Sequence, residues 1–153
     1  MIREAKEADF DAVMRLMRQL QPGEPLLSDG RDRAAYASIL ARPDLRILVL
    51  DLDGEVVATT YLCLIPNLTR SARPFAVIEN VVVEESRRGT GLGKQLMAAT
   101  LRQAWDAGCY KALLSTGSRR VSTHAFYRAC GFSAEEKTGY VAHPPDWPLT
   151  LGT

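Results

Sequence analysis

Arg87-Arg88-Gly89-Thr90-Gly91-Leu92-Gly93-Lys94 sets three glycines at alternate positions among cations, directly after the apolar run Val77-Ile78-Glu79-Asn80-Val81-Val82-Val83. The glycines free the backbone for tight turns with positive φ. The branched aliphatics before them have the pattern of a strand buried on both faces. Leu92, Leu96, Ala99, Leu101 and Trp105 then recur at helical intervals, with Gly108 as a stop just past the last of them. A helix that starts straight out of such a turn presents unpaired N–H groups and partial positive charge to an anion. The guest it suits is a pyrophosphate.

Spacing separates the known kinds of glycine-rich turn. A dinucleotide fingerprint counted from Gly89 needs glycine where Lys94 stands, and counted from Gly91 it needs one where Leu96 stands. A Walker-type loop ending at Gly93-Lys94 needs glycine at Arg88 and a hydroxyl at Gln95. What fits is Arg/Gln-x-x-Gly-x-Gly/Ala, met by Arg88-Gly89-Thr90-Gly91-Leu92-Gly93. This resembles the coenzyme A loop of the GCN5-related N-acetyltransferase family. The resemblance continues through Ile78-Glu79-Asn80-Val81-Val82-Val83, the helix after the loop, and a second strand-helix unit. That unit is Lys111-Ala112-Leu113-Leu114-Ser115-Thr116, then Thr123-His124-Ala125-Phe126-Tyr127-Arg128-Ala129-Cys130-Gly131-Phe132. Its last run is similar to the family's A-x-x-F-Y-x-x-x-G-F segment. The likeness spans residues 75–132, with weaker agreement at both ends.

The resemblance implies acetyl-CoA as the cofactor and direct acetyl transfer to a primary amine, without a covalent enzyme intermediate or a metal. The cofactor residues it points to are Val81, Val83, Arg88, Gly89, Thr90, Gly91, Leu92, Gly93, Lys94 and Tyr127. In the family, the strand before the loop supplies backbone N–H donors where it splays from its parallel neighbour, which maps to Val81 and Val83. An attacking ammonium with a pKa near 10.4 must first lose a proton, at a cost of about 4 to 5 kcal/mol at pH 7. That requires desolvation, a base or a water chain. Glu79 is the carboxylate within the apolar strand, and strict alternation sets it on one face with Val77, Val81 and Val83. Its other reading is a strand carboxylate held by a basic neighbour for structure. The departing thiolate needs a proton, and Tyr127 matches the family's usual tyrosine. A phenol with a pKa near 10 stays protonated at pH 7 and can donate to a thiolate whose acid lies near 8.5. An ordinary tyrosine at the edge of a helix core is the alternative there.

His124 precedes Tyr127 by nearly one helical turn and reads as a surface or acceptor-pocket residue rather than a base. Family sequences often carry asparagine seven positions before the tyrosine, where this chain has Arg120. Arg119 and Arg120 are either a solvated pair or contacts to coenzyme phosphates or an acidic group on the acceptor. Arg87 is expected to face water, whereas Arg88 and Lys94 have reason to meet a phosphate. The first helices and the loop 67–74, with Arg70 and Arg73, are expected to build the acceptor pocket. Cys109-Tyr110-Lys111 and the Tyr127 helix resemble small-molecule acetyltransferases acting on amino sugars or aminoalkylphosphonates. That favours a small amine, with polyamines in the same class, over a protein lysine. A different class keeps the fold and discards turnover: a non-catalytic acyl-CoA-binding sensor or regulatory module. Dimers are frequent among proteins of this resemblance, so a homodimer is part of the expectation.

Positioning these residues takes one domain's worth of chain. A chain of 153 residues buries roughly 68–70% of its unfolded surface. Nineteen basic and 18 acidic side chains leave a formal charge of +1, so no global field recruits nucleic acid or an anionic membrane. No apolar run approaches the roughly 20 residues of a spanning helix, and Met1-Ile2-Arg3-Glu4-Ala5-Lys6-Glu7 is too polar for a signal peptide. The expected compartment is cytoplasmic. Cys63, Cys109 and Cys130 have no metal-ligand spacing and read as reduced core residues.

A strand is expected over 2–5, then a helix from Phe10, Val13, Met14, Met17 and Leu20, capped by Asp9 and ended by Pro22-Gly23-Glu24-Pro25. A second helix over 32–41 carries Tyr36, Ile39 and Leu40 and stops before Pro43. Strands over 47–50 and 56–64 flank Asp51-Leu52-Asp53-Gly54, an antiparallel hairpin turn. After the strand at 77–83 the order is helix, strand, helix, strand. The fold class is α/β (α+β), a mixed central sheet flanked by helices, with residues 1–143 as the domain and 144–153 as a proline-rich surface tail.

Overall fold

A computed structural model of the protein describes residues 1–147. Its contacts divide the chain into two units, Met1–Leu114 and Ser115–Thr153. The first holds β1 (Ile2–Glu4), α1 (Phe10–Leu20), α2 (Arg31–Leu40), β2 (Leu45–Leu52), β3 (Glu55–Ile65), a four-residue turn α3 (Thr69–Ala72), β4 (Phe75–Val83), α4 (Leu92–Asp106) and β5 (Ala112–Leu113). The second holds α5 (Val121–Ala129).

The five strands form one sheet in sequence order. β1 to β4 pair antiparallel and β4–β5 is parallel, so the sheet is mixed and the fold class is α+β, as the sequence implies. Each face carries a packed core. Val49, Val56 and Val82 pack with Phe10, Val13, Leu16 and Tyr36 from the α1 and α2 side. Leu48, Leu50, Val57 and Ala58 pack with Leu96 of α4. Ile47 to Leu50 are all buried because alternate residues feed opposite layers. Asp53 and Gly54 take φ of 52° and 92°, the hairpin turn expected of Asp-Gly.

Several expectations need correction. The buried stripe of α4 is Leu96, Met97, Thr100 and Ala104, while Trp105 is 47% exposed. Hydrophobicity could not reveal Thr100 as a core residue. Its hydroxyl donates to the Leu96 carbonyl at 2.9 Å, so the 2.8 Å contact with Thr60 is a hydrogen bond donated by Thr60. No strand follows α5 among the described residues. Cys109 is buried, but Cys63 and Cys130 are only half-buried. Residues 144–147 are exposed, and the rest of the expected tail, 148–153, lies outside the described residues.

Asp9 does not cap α1 with its side chain. Its carboxylate accepts the Lys6 N–H at 2.7 Å and both Nη atoms of Arg3 at 2.7 and 3.0 Å. Arg3 also donates to Asp51 at 2.8 Å, tying β1 to the start of α1 and the end of β2. The Arg3 hydrogen bonds hold both carboxyls below the usual carboxylate range. A depressed folded pKa contributes stability that is present above the unfolded value near 3.9 and lost as pH falls through the folded one. The urea midpoint of the protein therefore drops as pH is lowered below about 4, and Arg3→Met flattens that drop. Equal acid slopes for the two proteins would contradict this role for Arg3.

Candidate active site

β4 is interrupted where the chemistry was expected. Tyr61 opposes Glu79 and Thr59 opposes Val82, so two steps along β3 match three along β4. The extra residue makes a β-bulge, and Asn80 takes φ of 50°, a left-handed conformation that asparagine tolerates better than most residues. Side-chain parity flips across it. Glu79 faces the α1 side with Tyr61, whereas Val83 packs on the α4 cluster. Strict alternation, which grouped Glu79 with Val83, fails for that reason. The Glu79 side chain is exposed and makes no hydrogen bond or ion pair among the described residues.

On its other edge β4 meets β5 only at Ala76–Ala112 and Val77–Leu113, with the Ala76 N–H donating to Lys111 O at 2.9 Å. Beyond Val77 the ladder ends. The Glu84 N–H points to β3, donating to Val57 O at 2.8 Å. Alternation then turns the N–H groups of Val83 and Val81 toward the edge that β5 has left. The Val83 carbonyl on that edge accepts Arg88 Nε at 3.1 Å.

The chain next enters the glycine turn. Gly89 and Gly91 adopt φ of 77° and 86°, and Gly91 is the residue before the first turn of α4. With glycine rather than Ser, Thr, Asp or Asn there, no side chain caps the helix. The amides of residues 89–94 find no acceptor among the described residues, while the neighbouring Arg88 and Gln95 amides are both bonded. Thr90 ties the turn down by donating its hydroxyl to Arg87 O at 2.6 Å. Arg87, expected in water, is half-buried and pairs with Glu55 at 2.9 Å. Lys94 is exposed and has no partner among the described residues.

A clamp from α1 fixes the entrance to this turn. Arg15 forms an ion pair with Glu84 and donates to Val56 O at 2.8 Å. Gln19, one turn further on, donates to Glu84 Oε1 at 2.5 Å and accepts the Glu85 N–H at 2.9 Å. Sequence reasoning missed these residues. Their signal, two polar side chains four apart beside Val13 and Leu16, looks like an ordinary solvated stripe.

In the second unit Gly131, φ 93°, closes off α5 two residues past its last residue, with Phe132 N–H donating to Tyr127 O at 3.1 Å. Tyr127 sits edge-on to Phe126 and to Phe132, with ring centroids 5.1 and 6.2 Å away. His124 Nε2 is 2.8 Å from Ser118 O. A carbonyl only accepts, so this nitrogen carries the proton and the ring is engaged in the turn that starts the helix. Arg119 and Arg120 are exposed.

A family model described as Acetyltransferase (GNAT) family matches residues 10–132. The chain belongs to this family. A glucosamine 6-phosphate N-acetyltransferase of Trypanosoma brucei brucei is 30% identical over 138 residues, covering 89% of this chain and 90% of that one. An aminoglycoside N(6')-acetyltransferase type 1 of Stenotrophomonas maltophilia is 32% identical, covering 94% and 92% respectively. A solved structure from Agrobacterium tumefaciens str. C58 matches with a TM-score of 0.89 and 41% identity, over 94% of this chain and 99% of that one. This GNAT chain is an acyltransferase of the N-acetyltransferase kind, and the family uses acetyl-CoA.

The GNAT loop depends on the α1 clamp for its footing. Glu84→Ala leaves the half-exposed Arg15 guanidinium without its ion pair and frees the residue that leads into the turn. The expected cost is about 1–2 kcal/mol of stability, below that of a fully buried pair because Arg15 still reaches water. Coenzyme A binding weakens with it. Denaturant titration and calorimetry check both, and a variant with unaltered stability and coenzyme affinity would remove the clamp from the account.

Proposed function

We propose that this chain passes the acetyl group of acetyl-CoA directly to the primary amine of a small molecule. Acetyl-CoA supplies an acyl group already activated as a thioester. The observation that carries the reading is the run of open amides over residues 89–94 beside the unpaired β4 edge. Its donor set suits a diphosphate: main-chain N–H groups with Arg88 and Lys94 at either end, and no carboxylate between residues 86 and 95. Gly89, Thr90, Gly91, Leu92, Gly93 and Lys94 supply the amides of that cradle.

The N–H groups of Val81 and Val83 hydrogen-bond the acyl arm and stabilise charge that builds on the carbonyl oxygen. Glu79, exposed at the bulge, draws the proton from the incoming ammonium, directly or through water. Tyr127 donates its phenolic proton to the sulfur as thiolate leaves. This assignment rests on its place in the family motif and on the chemistry of a phenol. The small-amine preference is supported by the relatives above, named for an amino sugar phosphate and an aminoglycoside.

A thiol-release assay with acetyl-CoA and a panel of amino sugars, aminophosphonates, polyamines and lysine peptides tests the reading. A sensor without turnover would bind coenzyme A and release no thiol with any of them. Tyr127→Phe is expected to lower kcat by about a hundredfold, the scale of a lost general acid, with coenzyme A affinity nearly unchanged. Unaltered turnover would take Tyr127 out of the mechanism.

A further inference from the structure

The α1-side face of the sheet beyond β2 is floored by three cross-strand pairs, Tyr61–Glu79, Cys63–Val77 and Ile65–Phe75. Directly opposed residues share a face. All of them are half-buried except Glu79, which is exposed. β5 extends this floor. Ala112 opposes Ala76, so Lys111 stands level with Phe75 and on its side of the sheet. Its Nζ lies 5.3 Å from the Phe75 ring centroid and 5.2 Å from that of Tyr110. Arg70, from the turn between β3 and β4, lies 5.9 Å over the same Tyr110 ring.

Neither Lys111 nor Arg70 forms an ion pair among the described residues. Arg73, the third cation of the cluster, is committed: it donates to the carbonyls of Gly108 and Cys109 at 3.1 and 3.3 Å. That bond and Tyr110 N–H to Pro74 O, 3.0 Å, fix the aromatic shelf on which the two unpaired cations rest. The charges nearest Tyr61 and Cys63, Arg42 and Asp44, neutralise each other through hydrogen bonds of 3.2 and 2.8 Å. The floor thus has a negative end at Glu79 and a positive end at Lys111 and Arg70. Arg70, Ser71 and Ala72 all take left-handed φ, 57°, 59° and 57°, a run that L-residues avoid and that recurs at ligand clamps.

We propose that this face receives the acceptor, and that Lys111 and Arg70 bind a phosphate or phosphonate carried by the amine. The inference rests on the acetyl-transfer reading and names its substrate class. Phe75 and Glu79 are four strand residues apart, about 13 Å, and the long side chains reach inward, so amine and anion sit on the order of 10 Å or less from each other. A polycationic acceptor meets two like charges at one end of the floor. An amine with an anionic group meets a complementary charge at both ends.

Glucosamine 6-phosphate and glucosamine differ only in that group and make the test. The expected kcat/KM in the thiol-release assay favours the phosphorylated sugar by about tenfold or more, the scale of one charge-assisted hydrogen bond. Lys111→Met removes that discrimination through KM, and Lys111→Arg retains most of it. Equal use of the two sugars, or a Lys111→Met loss shared equally between them, overturns the anion site while leaving acetyl transfer standing. If no amine releases thiol, the transferase reading falls. Amide NMR with glucosamine 6-phosphate then decides the anion site alone: shifts confined to residues 70–76 and 110–112 sustain it, and their absence at millimolar ligand overturns it.

Discussion

Backbone amides with nowhere to donate are the constraint on which this molecule turns. Six consecutive N–H groups, residues 89–94, lack acceptors among the described residues because Gly89 and Gly91 hold left-handed backbone and because glycine offers the first turn of α4 no capping side chain. Leaving such donors to water forgoes the stability a capping residue gives, about 1 kcal/mol. At φ 86° Gly91 holds a conformation that a capping Ser or Asp avoids, so the turn keeps these amides open. The arrangement makes sense when an anion completes it, with the helix field and the flanking Arg88 and Lys94 all of the same sign.

The rest of the first unit serves to hold that cradle against one strand. β4 is pinned by β3 on one side and released by β5 after Val77 on the other, which leaves an edge inside a sheet. The α1 clamp through Arg15, Gln19 and Glu84 fixes the point where β4 leaves the sheet. The bulge at Asn80 divides the strand into two roles. Before it, Glu79 looks to the α1 side and the half-buried floor. After it, Val83 returns to the α4 core and its amide to the open edge. One inserted residue separates the proposed acceptor side from the proposed donor side.

Local features of the sequence were legible for local reasons. Three glycines, a valine run and a helical stripe each act within a few residues, and the loop, β4 and α4 stand where they imply. The Asp-Gly hairpin followed from backbone preference alone. What escaped was non-local. Gln19 meets Glu84 across 65 positions, and nothing near either residue announces it. The bulge is a property of two strands in register, so the alternation that misplaced Glu79 relative to Val83 could be corrected only by β3. Trp105 is apolar and falls in the helical spacing, yet Thr100 holds the buried place, its hydroxyl satisfied by Leu96 and Thr60. Asp9 suited a helix cap in type and position but was claimed by Arg3.

The most direct test of the central claim is a crystal structure of the coenzyme A complex. The account predicts diphosphate oxygens within hydrogen-bond distance of the amides of residues 89–94, and the pantetheine arm running along the β4 edge past Val83 and Val81. A diphosphate bound elsewhere, with those amides facing only water, would contradict it.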